Sequence, residues 1–214
     1  MPHVPSLTTP EALLRHDLVA AMVALHRRGW CDGTGGNFSC VLQMQPLRLL
    51  MAPSGVDKGQ VAPEALIVVD AAGAVCQGAG RASAETLLHL AIVHHCRAGA
   101  VLHTHSQAAT LLSGWALGAG HLALRDLEML KGLEGIRSHD TEVTIPVLAN
   151  DQDLQRLSDA AGPLLESAPH GLLIAGHGLY AWGADLAQAR RHVEILEFLL
   201  EQRWRQLLLE GLCR

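Results

Sequence analysis

The chain has 214 residues, a formal net charge of −5 and 49% hydrophobic residues, which suits one domain with a sizeable core and is short for two that each carry a site. Charged residues make up 17% and no Lys/Arg cluster appears, so the electrostatic footprint of a nucleic-acid-binding protein is missing. Cys31, Cys40, Cys76, Cys96 and Cys213 are odd in number and contain no CxxC pair, which argues against a disulfide framework and for a reducing, cytoplasmic compartment.

Met1 to Pro10 has neither a basic n-region nor an apolar core, so no signal peptide is expected, and no apolar run reaches membrane-spanning length. Thr9-Pro10-Glu11 reads as a helix start: a capping hydroxyl, a proline at the first helical position and an acid at the positive dipole end. Leu14, Leu18, Met22 and Leu25 follow at helical spacing, and Gly29 stops the helix. Gly33 to Asn37 is a tight loop. Phe38 to Met44 and Leu47 to Ala52 form a hairpin turned at Gln45-Pro46, and Leu66 to Asp70 is a short buried strand.

Ser83 is expected to cap a second helix, Ala84 to Arg97. Gly99 to Thr104 is a strand, Gln107 to Ser113 a short helix, and Leu127 to Leu133 one or two helical turns. Val143 to Leu148 is a strand that Pro146 would confine to an edge or bulge. Asp151 to Leu165 is a helix. Gly171 to Ala175 and Gly178 to Trp182 are strands, and a long helix runs from about Asp185 to Leu209. Strands often follow strands directly, and no GxGxxG opens a helix. Both features disfavour a doubly wound dinucleotide fold and favour a mixed sheet with helices on both faces.

The most informative stretch is Val101-Leu102-His103-Thr104-His105. In a strand, residues i and i+2 face the same side, so His103 and His105 would present two imidazoles to one point. His177 lies between glycines that permit close backbone approach. Three imidazoles would leave a coordination position open, as in catalytic zinc sites, although iron, nickel and copper also accept such ligands. In a chain with thirteen histidines, an HxH pair is also open to the blander reading of chance. His89, His94 and His95 read as surface or core-edge residues.

Polar loops offer a second signal. Thr34, Gly36, Asn37 and Ser39, Ser54-Gly55, and Ser83 at a helix start could donate backbone N–H groups and hydroxyls to an anion, with Lys58 adding charge. Each could equally be a plain turn or cap. Glu85 opens a helix, where an acid is favourable for the dipole alone. Glu128, flanked by apolar residues, could sit in a pocket that raises its pKa, although the pattern by itself favours a solvated Glu paired with Lys131.

Taken in order, Gly33 to Ser39, Ser54 to Gly59, Ser83 to Thr86, Ala100 to Ser106, Glu128 to Gly132, Asn150 to Asp153 and His177 to Gly183 resemble the class II aldolase/adducin family over nearly the whole chain. The resemblance implies one domain over residues 1–214. Its expected fold is a three-layer α/β/α arrangement around a central mixed, largely antiparallel sheet. It implies one zinc ion per subunit on His103, His105 and His177, and a phosphate site at Gly36, Asn37, Ser54, Gly55 and Ser83. It makes Glu85 a ligand or base. The Glu-Met-Leu-Lys-Gly, Asn-Asp-Gln-Asp and His-Gly-Leu-Tyr-Ala-Trp-Gly segments point to the family's dehydratases, in which Glu128 would be the acid/base. That implies dehydration of 5-methylthioribulose 1-phosphate by a homotetramer. A sugar-phosphate aldolase, a pentulose-phosphate 4-epimerase and a non-catalytic adducin-like interaction module remain as alternatives. The first loop departs from the family's usual TSGN, reading Thr34-Gly35-Gly36-Asn37, which removes one hydroxyl donor. Leu179, Trp182 and Trp115 are candidates to hold the methylthio group because they are apolar and near these segments.

Overall fold

A computed structural model describes residues 9–212; Cys213 and all but the end of the Met1 to Pro10 segment lie outside the described residues. Helix α1 spans Pro10–His26, and Thr9 caps it by accepting a hydrogen bond from Ala12 N at 3.2 Å. The remaining elements are β1 Asn37–Met44, β2 Leu47–Met51, β3 Ile67–Asp70, β4 Val75–Gln77, α2 Thr86–Cys96, β5 Ala100–Thr104, α3 Gln107–Ala116, β6 His121–Leu124, β7 Val143–Leu148, α4 Leu154–Leu165, β8 Gly171–Ile174, β9 Gly178–Gly183 and α5 Leu186–Leu212. The strands form one sheet in the order β4-β3-β2-β1-β5-β9-β8-β7-β6. Among the described strands, only the β7–β8 pair is parallel.

The three layers follow from the strand period of two. In β2 and β5, Leu50 and Leu102 join the core under α1, α3 and α5, while Leu49, Met51 and Val101 join the core under α2 and α4. Every residue of β5 and β9 is buried, so these central strands read as apolar runs interrupted by His103, Thr104 and Tyr180. Truncating a side chain at this centre, such as Leu102→Ala, should cost about 2–5 kcal/mol.

Three local expectations are corrected. Ser83 does not cap α2: it sits in a turn before the helix, where its Oγ accepts from Glu85 N at 3.3 Å, and Glu85 holds the cap position. Strand β7 is not an edge, because the four-residue β6, too short to leave a periodic signal, covers it. Pro146 is tolerated there because the β8 ladder involves only Val147 and Leu148. His89 is fully buried rather than at the surface, with Ser39 Oγ 2.7 Å from its Nδ1.

Candidate metal centre

The antiparallel pairings bring the C-terminal end of β5, the N-terminal ends of β1 and β9, and the C-terminal ends of β2 and β8 to one end of the sheet. His103 and His105 project there, as the strand period requires, and their Nε2 atoms lie 2.8 Å apart. His177 sits in the turn from β8 to β9, where its backbone N–H bonds Ile174 O at 3.0 Å. Helix α3 fixes this turn: the Thr110 hydroxyl donates to His177 O at 3.0 Å, and Gly176 N donates to Ser113 Oγ at 3.1 Å. His177 Nε2 is 3.4 Å from His103 Nε2.

The fourth member is Glu85. One carboxylate oxygen lies 3.0 Å from His177 Nε2 and 3.6 Å from His103 Nε2; the other accepts from Asn37 Nδ2. Ligand atoms of Glu85, His103, His105 and His177 all fall within 4.8 Å of one another. The tautomer of His103 supports a ligand role. Its Nδ1 faces Leu179 O at 2.9 Å, and because a carbonyl only accepts, Nδ1 carries the proton and Nε2 keeps its lone pair for the cluster. Tyr180 stacks on the ring at 3.8 Å and fixes its plane.

Electrostatics follow from burial. Burial pushes the His103 pKa far down, against the opposing pull of Glu85, so the imidazole is neutral and able to ligate. Burial also lowers His105, helped by His177. For Glu85, burial alone would raise the carboxyl. The His177 hydrogen bond and electrostatic attraction to the His103, His177 and His89 rings outweigh it and hold the pKa at about 2. Three imidazole nitrogens and one carboxylate form a set that could hold a divalent transition ion.

Backbone fit is tight here. A Cβ on Gly36, which has φ +76°, would lie 2.7 Å from His103 O. A Cβ on Gly178 would lie 2.0 Å from Thr104 O. Both glycines let loops close against the histidine strand, a contact that no other residue allows.

The other expected residues separate into two groups. Asn37 opens β1 at this end of the sheet, and Gly36, Ser54, Gly55, Ser83 and Lys58 are carried by loops at or leading to it. Asn37 spends its amide on Glu85, and buried Lys58 donates to Thr34 O at 2.8 Å and Val56 O at 3.0 Å, clamping the two loops together. Glu128 is elsewhere. The strand pairing places the C-terminal end of β6 opposite the histidines, and Glu128 follows that end on a short 3-10 helix, Glu128–Gly132. Its side chain is 69% exposed and ion-paired to Lys131, with His139 at 3.9 Å. The Lys131 hydrogen bond holds its carboxyl below the ordinary value, so the apolar pocket does not form within one chain and the solvated pairing does. Leu179 and Trp182 are buried in the two cores, so neither opens to a ligand, while Trp115 is exposed on α3.

Sequence reasoning missed Glu197. This fully buried acid of α5 accepts from the Thr104 hydroxyl, between the two strand histidines, and burial raises its pKa to about 7. The signal was present: Val193, Leu196, Glu197 and Leu200 share one helix face, and an acid on an apolar stripe needs a reason.

Residues 16–204 match the Class II Aldolase and Adducin N-terminal domain. A methylthioribulose-1-phosphate dehydratase of Xanthomonas euvesicatoria pv. vesicatoria is 41% identical over 97% of this chain and 96% of that protein. One of Methylococcus capsulatus is 44% identical over 86% of this chain and 90% of that protein. Among solved structures, the L-fuculose-1-phosphate aldolase of Thermus thermophilus superposes with a TM-score of 0.76 at 25% identity, covering 94% of this chain and 98% of that one.

Proposed function

The chain belongs to the class II aldolase and adducin family, and from that premise we propose that it is a metal-dependent hydro-lyase converting 5-methylthioribulose 1-phosphate to 5-methylthio-2,3-dioxopentyl phosphate, a step of methionine salvage. The observation that carries the reading is the convergence of the Glu85 carboxylate with His103, His105 and His177 at one end of the sheet. It is joined by the full-length similarity to dehydratases of that name.

The donor set fits a zinc-class ion, one per subunit, held by the three histidines with Glu85 beside them. Such an ion supplies Lewis acidity to ketose oxygen atoms. The chain's own groups do the rest. Backbone donors at Gly36 and Gly55, with Ser54 and Ser83, hold the substrate phosphate, and Lys58 keeps their loops in register. Glu85, ionised at neutral pH, accepts the proton from C3. The C4–O bond then breaks and the hydroxyl leaves as water, taking a proton from Glu128. The C3–C4 enol that results tautomerises to the diketone.

Glu128 cannot perform this on its own chain's substrate, because it follows the opposite end of the sheet. We therefore place it in the site of a second copy, in a cytoplasmic homo-oligomer, a tetramer by family resemblance. Contact with the partner would bury the carboxyl and raise its pKa toward the range of a general acid.

The fuculose-phosphate aldolase likeness favours a second reading, C–C cleavage of a sugar phosphate at the same metal centre. Incubation with methylthioribulose phosphate and, separately, with fuculose phosphate separates the two: diketone from the first supports the dehydratase, aldehyde from the second the aldolase. No bound metal, and no gain on adding zinc, would leave only the non-catalytic adducin-like module.

A further inference from the structure

Away from the histidine end, His170, His192 and Glu134 bring ligand atoms within 4.8 Å of one another. We propose that these three residues form a second site for a zinc-class divalent ion, separate from the catalytic centre.

The three come from different elements. His170 precedes β8, His192 lies on α5, and Glu134 follows the 3-10 helix that carries Glu128. Nothing in local sequence requires them to meet. His192 is buried, and its Nδ1 faces Trp182 O at 2.7 Å, so Nδ1 carries the proton and Nε2 is left with the lone pair that a metal needs. His170 Nε2 lies 3.3 Å from a Glu134 oxygen, and Gln188 Nε2 donates to the same carboxylate at 2.9 Å. Burial lowers the pKa of both imidazoles, which keeps them neutral and able to ligate.

Two features are costly unless something compensates them. His170 has φ +58°, a left-handed conformation uncommon outside glycine. Its Nδ1 is buried with no hydrogen-bond partner among the described residues, where such atoms are almost always paired. An ion held through His170 Nδ1, the ring nitrogen that has no other partner, would compensate the second of these. The two rings stack at 4.3 Å with 25° between their planes, so closing on an ion requires them to rotate apart about χ2, a torsion with a broad, soft profile. Two imidazoles and one carboxylate favour zinc and its neighbours over magnesium or calcium, and water would complete the shell. The ion would tie the segment carrying Glu128 to β8 and α5. That consequence rests on the role proposed for Glu128, whereas the site itself does not.

The test is a count of zinc retained after saturation and equilibrium dialysis of the full chain. The unaltered protein should hold two ions per chain. The Glu134→Gln/His170→Asn variant should hold one; Asn accepts the left-handed backbone and Glu134 is exposed, so the fold is kept. The His103→Ala/His105→Ala variant should also hold one, and the four-fold variant none, so failure of the catalytic site and of this one read out separately. No difference in bound zinc between the unaltered protein and Glu134→Gln/His170→Asn would overturn the proposal.

Discussion

The histidine end of the sheet and the 3-10 helix Glu128–Gly132 differ in how much of their chemistry one chain completes. At the first, a central strand, a glycine-bounded turn and a helix start bring ligand atoms of four side chains that could hold a metal within 4.8 Å of one another, all inside one chain. At the second, an acid that the family resemblance marks for catalysis stands in solvent against Lys131, with nothing to act on. A buried cluster assembled by strand register is determined by the fold, because a one-residue slip would turn its side chains to the other face. A surface acid is determined only by what later covers it. The contrast therefore predicts that the two regions meet across copies.

The largest effect should come from the cluster itself. His103→Ala should remove the ion held by this cluster and lower kcat/KM by on the order of 10³-fold or more, since Lewis-acid stabilisation amounts to several kcal/mol. Elemental analysis beside the diketone assay checks both, and a variant that lost metal but kept its rate would break the link between site and reaction. Glu128→Gln should lower kcat by about 10²–10⁴-fold, as for a general acid, while leaving bound metal unchanged. Full activity in that variant would remove Glu128 from the chemistry.

Smaller effects sharpen the same contrast through stability. Gly36→Ala forces a Cβ to 2.7 Å from His103 O in a left-handed backbone, so it should cost about 1–3 kcal/mol and lower Tm by several degrees, with no counterpart when Lys131, at the exposed end, becomes Ala. Thermal melts of the two variants make the comparison. Glu197 gives a pH signature. Its folded pKa of about 7 lies above the unfolded value of about 4.3, so the folded state binds the extra proton. Stability should therefore fall as pH rises from about 4.3 to about 7, by on the order of 4 kcal/mol at most, and stay low above that. Glu197→Gln should flatten that slope in urea titrations, and an unchanged slope would remove Glu197 as its source.

Legibility in the sequence divides along the same line. The period-two rule placed His103 and His105 on one face, and the capping rules placed the start of α1, which ends at His26, ahead of the Gly29 expected to stop it. Strand β6 was not legible because four residues carry too little periodicity, and β4 because its three residues are all exposed. Glu85 was ambiguous, since an acid at a helix start needs no further reason. Only the tertiary approach of α2 to β5 and β9 turned it toward the histidines. The apolar neighbours of Glu128 suggested a pocket, but they are spent elsewhere: Leu127 and Leu130 pack into the core, and the acid is left facing out.

Mixed oligomers test the sharing of one site between copies most directly. His103→Ala chains lack the metal cluster and keep Glu128; Glu128→Gln chains lack the acid and keep the cluster. Each alone should be nearly inactive. Co-expressed, they form some sites that pair an intact cluster with an intact acid, and these should restore a substantial fraction of the unaltered diketone-forming rate. A mixed preparation no more active than the sum of its two parents would contradict a site completed across copies.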